Sequence, residues 1–573
     1  LLTSTEIIIS AKANHGIMNR LGNALVREKL LPVIEETEKK LLLLLNSSCQ
    51  LVLPYTYSGA FSRYQFETPF YIEKNGETIP VNTCEQLLLL LKVESSLQIT
   101  DELREELINS RDNLKLAYKS YEQKVLMAER EQIKSMLQFL STLQNGDLPF
   151  SEALVTEGHP LHPSTKTKLG LSEDEVQRYA PEFQEELMLK PVLVHRSYVV
   201  TSEQGEPLLY QECPAVKSAA EQTVSLLGER IEDYHPFIVH PWQFEHVLPV
   251  IFSEELEKGV IIPLAADIPS SATLSFRTMS LTSTKVHAKL PVNVQATSAV
   301  RTVSPEISVN GPLLSERLVP LMNSIDGLTF LPEAAGAYFG SKVPEPRSRQ
   351  LSYILRQSPD TYRKEGEVLL VGASLTSLNP LSGEPVVMDL IRDFTGKIEA
   401  AAEDVYTFAR HYSEKAAIPL LKALLQYGAG LEAHMQNTIL AVKNGQITNV
   451  IMRDLGGVRI HKETISHHIS LEGIRDASIF TDNISEANSK FIHAFVQNHL
   501  GDLWFTLSLT IKGVTEDKLW DITSKTLHSI ADGSHEIFAE KVKTKALLSM
   551  RMKKSASDYE YSTFANPLDS REG

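Results

Sequence analysis

Cations recur among hydroxyls between residues 270 and 305, where the chain reads SSATLSFRTMSLTSTKVHAKLPVNVQATSAVRTVSP. Three of them, Arg277, Lys289 and Arg301, carry the argument. Alternation through 273–277 and again through 286–290, with a polar turn at Thr282-Ser283-Thr284, predicts a β-hairpin followed by a further extended run. Side chains two apart share a face, which groups Ser275 with Arg277 and His287 with Lys289. A three-residue loop then sets Arg277 nearly opposite Lys289. Like charges facing across a ladder cost roughly 0.2–1 kcal/mol, so the arrangement persists most easily around a shared anion. A polyphosphate suits it, with Arg as a fork, Lys as a point charge and Ser/Thr hydroxyls as donors. The plain alternative on spacing alone is a sheet with one solvated basic face.

Two other stretches carry chemistry. The run GHPLHPSTKTKLG at 158–170 holds two His-Pro pairs three residues apart. Proline keeps the residue before it extended, so His159 and His162 are held in place, as donors to phosphate or carboxylate oxygens. Two histidines without a third ligand make a poor metal site. HPWQ at 240–243 repeats the device and is equally compatible with a core contact. Further on, Glu432, His434 and Asn437 precede a turn at Lys443-Asn444-Gly445-Gln446, a short strand over 448–452, and Arg453-Asp454-Leu455-Gly456-Gly457. Glu432, Asn437 and Asp454 are hard-oxygen ligands of the kind Mg²⁺ takes while keeping several waters. Otherwise they solvate a helix end and start a turn. There is no elbow serine or Cys/His pair, so a covalent acyl-enzyme is not expected.

The elements that must position these residues read as an α+β chain. At 573 residues there is material for several cores. The net charge of −16 argues against nucleic-acid and anionic-membrane partners, and makes a cationic strand cluster a local pocket. Cys49, Cys84 and Cys213 are scattered and lack a CxxC, which fits a reducing, cytoplasmic setting. The leucine runs 41–45 and 87–91 are too short to span a bilayer and read as buried helix. No basic-then-apolar leader is visible, although the first residue is not Met.

Residues 6–144 are expected to be a mainly helical scaffold with a short β-like piece at 51–53 and 64–72, and one or two long helices over 97–143. Strands dominate 191–300, without regularly interposed helices, which points to an antiparallel sheet. The chain then reads as irregular at 332–338 and 347–357, a strand at 367–373, and helical over 389–427. The last 75 residues read as mostly helical, the basic stretch 541–551 as a solvated helix face, and the tail beyond Lys553 as loosely held with 564–568 able to dock. These shifts divide the chain into 1–155, 156–388 and 389–573.

The ordered set GHPLHPSTKTKLG, HPWQ, SATLSFRTMSL, HAKLPVNVQATSAVRTVSP, LEAHMQNTIL, VIMRDLGG and TKALLSMR resembles the NRPS-independent siderophore (NIS) synthetases, the family of the aerobactin-type enzymes. The resemblance runs from residue 158 to 551. It implies a cytoplasmic, ATP- and Mg²⁺-dependent ligase of siderophore biosynthesis and iron acquisition. Such an enzyme adenylates a carboxyl group of citrate, a citryl intermediate or a related dicarboxylic acid, then joins it to an amine, hydroxylamine or alcohol, releasing AMP and pyrophosphate.

The resemblance further implies thumb (1–155), fingers (156–388) and palm (389–573) domains, and a homodimer. Ser275, Arg277, Thr278, Lys289 and Arg301, with His159 and His162, match the ATP-phosphate positions. Glu432, Asn437 and Asp454 match the Mg²⁺-associated ones. His434 matches a carboxylate-substrate contact, and Lys545 and Arg551 a basic motif linked to the acid. Ala272-Thr273-Leu274 departs from the family's lead-in to the Ser-x-Arg-Thr core. Two rivals remain at this stage. One is a small-molecule kinase, whose HxxxxN loop His434–Asn437 approximates but whose catalytic Asp is replaced by Met435. The other is a non-catalytic nucleotide- or polycarboxylate-binding protein.

Overall fold

The structure is a computed structural model that describes residues 4–133, 135–202, 205–340, 345–474, 478–553 and 560–569. It is a mixed α+β fold. The N-terminal part is less helical than expected. Helices Ser4–Arg27 and Asp101–Glu131 pack over a six-stranded antiparallel sheet drawn from residues 33–81. The first leucine run, expected to be helical, lies in strand Lys40–Asn46, paired with Val33–Glu36 and Cys49–Gly59. An uninterrupted apolar run fits either a buried helix or a buried strand. The tight turn at Asn46–Cys49 decides for a hairpin. The second run is helical, within Cys84–Glu94, where Thr83 and Gln86 form a capping box.

A nine-stranded antiparallel sheet forms the middle. Its order is Tyr234–Val239, Glu186–His195, Ile268–Ala272, Thr278–Leu281, Val286–Lys289, Ser352–Gln357, Glu333–Phe339 and Val199–Thr201, with Ile261–Pro263 also on Glu186–His195. The expected hairpin is present but begins later: residues 273–277 form a loop, and Thr278–Leu281 pairs with Val286–Lys289, setting Thr278 against Lys289 and Ser280 against His287. Both segments expected to be irregular carry strands of this sheet. Pro332 and a Gly in Ala-Ala-Gly obscured the first. That Gly336 is required, because a Cβ there would run into the Ser308 carbonyl of the covering helix Pro305–Asn323.

The C-terminal part has a four-stranded sheet in the order Leu328–Phe330, Gln446–Met452, Thr438–Lys443, Val368–Val371, backed by helices. Strands 328–330 and 368–371 thus cross the division expected at 388, because their apolar faces are buried in the core that the C-terminal helices close. The basic stretch is a strand first, Lys541–Lys545, then a short helix, Leu547–Met552. Its partner strand is Tyr561–Ala565, and Phe564 and Leu568 are buried. The rest of the tail expected to be loose, 554–559 and 570–573, lies outside the described residues. No described helix is long and apolar enough to cross a membrane.

Candidate active site

The 158–170 loop is pinned from the N-terminal part. Arg20 donates from Nε to the His159 carbonyl (2.9 Å) and from Nη2 to Glu157 Oε2 (3.1 Å). Ser110 Oγ donates to the Pro163 carbonyl (3.1 Å), and Asn113 Nδ2 to that of Lys166 (2.9 Å). Within the loop, His159 Nδ1 accepts from the Leu161 and His162 amides, and His162 Nδ1 from that of Ser164. Each Nδ1 is an acceptor, so the proton of the neutral ring sits on Nε2. Burial and then Arg551, Arg301 and Arg20 push His162 down to about 3; burial, His162 and His434 hold His159 well below the ordinary range. Both rings are therefore neutral Nε2–H donors. His240 shares the Nδ1 cap but is fully buried against Tyr179, a core contact.

On the middle sheet, Arg277 leaves the loop before Thr278, its Nη1 bonded to the Thr302 carbonyl. Its Nε is buried with no partner among the described residues. Burial and then Arg301 push the guanidinium down to about 10, with Asp454 opposing. Arg301, on the hairpin Val292–Ala296/Ala299–Arg301, holds itself by Nε to the Ala296 carbonyl (3.2 Å) and is pushed down by burial. Lys289 is buried and reaches Asp454, 2.9 Å from Oδ1 and 2.8 Å from Oδ2. Ser275 lies in the loop ahead, its carbonyl accepting from the Thr278 amide (2.6 Å).

Asp454 follows strand Gln446–Met452 at φ 78° and ψ 102°. A non-glycine residue there carries strain of order 1–3 kcal/mol, which surrounding contacts must hold. Its carboxylate also lies 3.8 Å from Arg356. Burial pushes the Asp454 carboxyl up, but Lys289, Arg356 and Arg277 outweigh it and keep it well below the carboxylate range. Glu432, His434 and Asn437 occupy the loop ahead of strand Thr438–Lys443 rather than a helix end. Glu432 lies 3.1 Å from Lys490 Nζ and 3.9 Å from His434 Nε2. Burial pushes His434 down, with Glu432 opposing.

The hydroxyl, imidazole, cation and carboxylate groups singled out from sequence thus come from three separate parts of the chain. Arg551 is the exception in orientation: it is committed to Glu106, with Nη2 on Oε1 and Nε 3.2 Å from Oε2. It fastens the C-terminal segment to helix Asp101–Glu131. Lys545 is pushed down by burial and by Lys490, with Glu432 opposing.

Several participants were not legible beforehand. Arg356 pairs with Glu333 (3.0 Å), 2% and 0% exposed, under Asp454. Lys490 is the partner of Glu432, and His493 neighbours Lys545 and Lys490. The first pair oppose each other in adjacent strands, in segments that read as irregular from the sequence. Lys490 had no local signal. As a test of fit for Mg²⁺, two carboxylates and an amide oxygen are the correct donor chemistry. Both carboxylates are held beside lysines that keep them ionised. Among the described residues there is no group of three or more His, Cys, Asp and Glu set to hold a metal by themselves.

Residues 147–377 match the IucA / IucC family, and residues 407–559 match the family described as ferric iron reductase FhuF-like transporter. The chain is 35% identical to the staphyloferrin A synthase of Staphylococcus aureus (strain NCTC 8325 / PS 47), over 97% of this chain and 98% of that one. It is 29% identical to the D-ornithine–citrate ligase of the same strain, over 90% of this chain and 85% of that one. The structure of ATP-bound aerobactin synthetase IucA from a hypervirulent pathotype of Klebsiella pneumoniae superposes with a TM-score of 0.75, covering 97% and 99% of the two chains. At 19% identity this is a shared fold.

Proposed function

The chain belongs to the IucA / IucC family, the NIS siderophore synthetases, and is thus an ATP-dependent ligase of siderophore biosynthesis; we propose that it adenylates a carboxyl group of citrate or a citrate-derived acid and passes the acyl group to an amine. The observation that supports this is that Asp454 is bonded by Lys289 and feels Arg277, that Arg301 and Glu432 both feel Asp454, and that His162 and His159 feel Arg301 and His434 in turn.

In the first step a carboxylate oxygen bonds to the α-phosphorus of ATP as the bond to the β-phosphate bridging oxygen breaks, and pyrophosphate leaves with that electron pair. Two anions must meet, which is unfavourable unless fixed positive groups stand where charge develops. Arg277, Lys289 and Arg301 supply that charge, with Ser275 and Thr278 hydroxyls and the Nε2–H of His159 and His162 as neutral donors. His434 and Lys545 orient the acid. Glu432, Asn437 and Asp454 would hold Mg²⁺, whose chemistry there is screening of the polyphosphate. In the second step the neutral amine attacks the acyl carbon, the acyl C–O bond to phosphate breaks so that AMP leaves with its electron pair, and the nitrogen gives its proton to water.

The thumb, fingers and palm division and a homodimer belong to the same proposal. Hydroxylamine tests it. With citrate, ATP and Mg²⁺ it should trap the adenylate as a hydroxamate, with AMP formed in step. ADP in place of AMP, or acid left on denatured protein, overturns it.

A further inference from the structure

Helix Ile484–Phe491 runs through a π-helical stretch, Ile492–Leu500, into helix Gly501–Thr510. Two of its side chains reach the loop that carries Glu432 and His434. Lys490 Nζ lies 3.1 Å from Glu432 Oε1, and His499 Nδ1 lies 3.0 Å from the Ala433 carbonyl oxygen. On an α-helix of about 3.6 residues per turn, the nine residues between them would make two and a half turns and set them on opposite sides. The π stretch, closed by bonds to the fifth residue instead of the fourth, turns less per residue and brings both onto one loop. Such stretches are rare and gather at functional sites.

His499 is wholly buried and both of its ring nitrogens are engaged, which fixes its proton. A carbonyl only accepts, so Nδ1 carries the hydrogen and donates to Ala433. Nε2 is then the acceptor, and Tyr412, equally buried, donates to it from its hydroxyl at 2.5 Å. Tyr412 ends helix Ala402–Tyr412, with a second π-helical stretch, Ser413–Ala417, directly after it. Trp504 packs edge-on against its ring at 5.9 Å. Burial pushes His499 down to about 4, with the Ala433 carbonyl opposing and His434 adding to the fall. The held loop has few bonds of its own: the Asn437 amide donates to the His434 carbonyl (3.0 Å), and Asn437 Nδ2 to that of Glu432 (3.3 Å). Ala433 is wholly buried, while Glu432 and His434 on either side of it are half-buried.

We infer that Tyr412 and His499 are positioning residues for the reaction, holding the peptide between Glu432 and His434 and so setting the direction in which both side chains leave the loop. This rests on the ligase reading above. The Ala433 carbonyl belongs to the planar peptide that joins residues 433 and 434, so holding its oxygen leaves that plane little freedom. Without the clamp the plane turns, and His434 shifts from the acid and Glu432 from the cation. Arg277, Lys289 and Arg301 belong to other strands and loops and keep their places.

The test is a substitution series read as hydroxylamine-dependent AMP formation with citrate, ATP and saturating Mg²⁺. The amide nitrogen of asparagine stands two bonds beyond Cβ, as Nδ1 of histidine does, and that of glutamine stands three, as Nε2 does. His499→Asn should therefore keep the bond to Ala433 and most of the activity. His499→Gln loses that bond and should raise KM for citrate about tenfold, the usual cost of a buried partner left unmet, with KM for ATP little changed. Tyr412→Phe removes one oxygen, keeps the packing and frees the ring to take its other tautomer. It should raise KM for citrate in the same way but by less. Amide exchange over residues 431–437, followed by mass spectrometry on the protein without substrates, should speed up in His499→Gln and Tyr412→Phe and not in His499→Asn. Thermal midpoints accompany the series, and if His499→Asn unfolds early, Tyr412→Phe carries the test by itself.

Glutamine at 499 that equals or betters asparagine would make His499 a packing residue and overturn the inference. So would KM values for citrate and ATP that rise together, or exchange over 431–437 that is the same in every variant. An unmodified protein that forms no AMP is the failure of the ligase reading, and the exchange measurement, which needs no turnover, still reports on the clamp.

Discussion

Lys289 Nζ sits 2.8 Å from Asp454 Oδ2 and 2.9 Å from Oδ1, joining the middle sheet to the end of a C-terminal strand. One member comes from the cations proposed for phosphate, the other from the oxygens proposed for Mg²⁺. Without substrates the two devices neutralise each other. On the proposal above, a nucleotide entering with its cation would meet groups already ionised and in place, and only the pairing would have to change.

Asp454→Asn keeps the shape and removes the charge. Asparagine also tolerates the left-handed backbone. Pyrophosphate release should fall about 10²–10³-fold, the usual cost of deleting one preorganised electrostatic group. Half-maximal Mg²⁺ should rise. Titration curves that superimpose on those of the unmodified protein would return Asp454 to a structural turn.

The pair beneath is a matter of stability. Glu333 is wholly buried, one of its oxygens lacks a partner among the described residues, and Arg356 is its counter-charge. Arg356→Met leaves that carboxylate uncompensated and should cost about 3–5 kcal/mol in denaturant unfolding. Glu333→Gln combined with Arg356→Met should recover most of the loss, a coupling that a double-mutant cycle reads directly. Additive losses would show that the two residues act independently.

How far these residues were legible depends on the range of the interaction. Arg277, Lys289, His162 and Asp454 stand in motifs whose local spacing fixes their neighbours, so they could be singled out although the strand around Arg277 was placed about five residues early. Lys490 carries no local signal, because what makes it important is a partner brought by distant chain. The leucine run 41–45 shows the same limit: its apolarity said buried, and only pairing to Cys49–Gly59 made it a strand. Glu333–Phe339 was hidden because its glycine serves packing against Ser308.

Glu28 gives a pH dependence. Burial pushes its carboxyl from 4.5 up to about 7, even though the Leu548 and Ser549 amides and Arg27 pull it down; Glu560 adds to the rise. A raised acid favours the folded state when protonated. The stabilisation is thus complete below 4.5 and lost as pH rises through 7. Relative to Glu28→Gln, the unmodified protein should lose thermal stability between pH 4.5 and 7, with little further change above. A difference in midpoint that stays constant across that window would mean Glu28 titrates normally.

Gly457 tests the seat of Glu432. A Cβ built on Gly457 would overlap the Glu432 carboxylate, whereas one on Gly456 would meet Asp454 Oδ1 at 3.3 Å and Ile307 Cδ1 at 3.8 Å. Neither glycine has a left-handed backbone, so alanine is conformationally acceptable at both. What must yield at 457 is the end of a flexible side chain, which costs little stability but moves Glu432 from its place 3.1 Å from Lys490 and 3.9 Å from His434. A misplaced site group can lower the rate about 10²-fold. Gly457→Ala should therefore unfold within a few degrees of the unmodified protein while losing most of its hydroxamate formation, and Gly456→Ala should lose much less. Equal activity in the two variants would show that the position of Glu432 does not matter to the reaction.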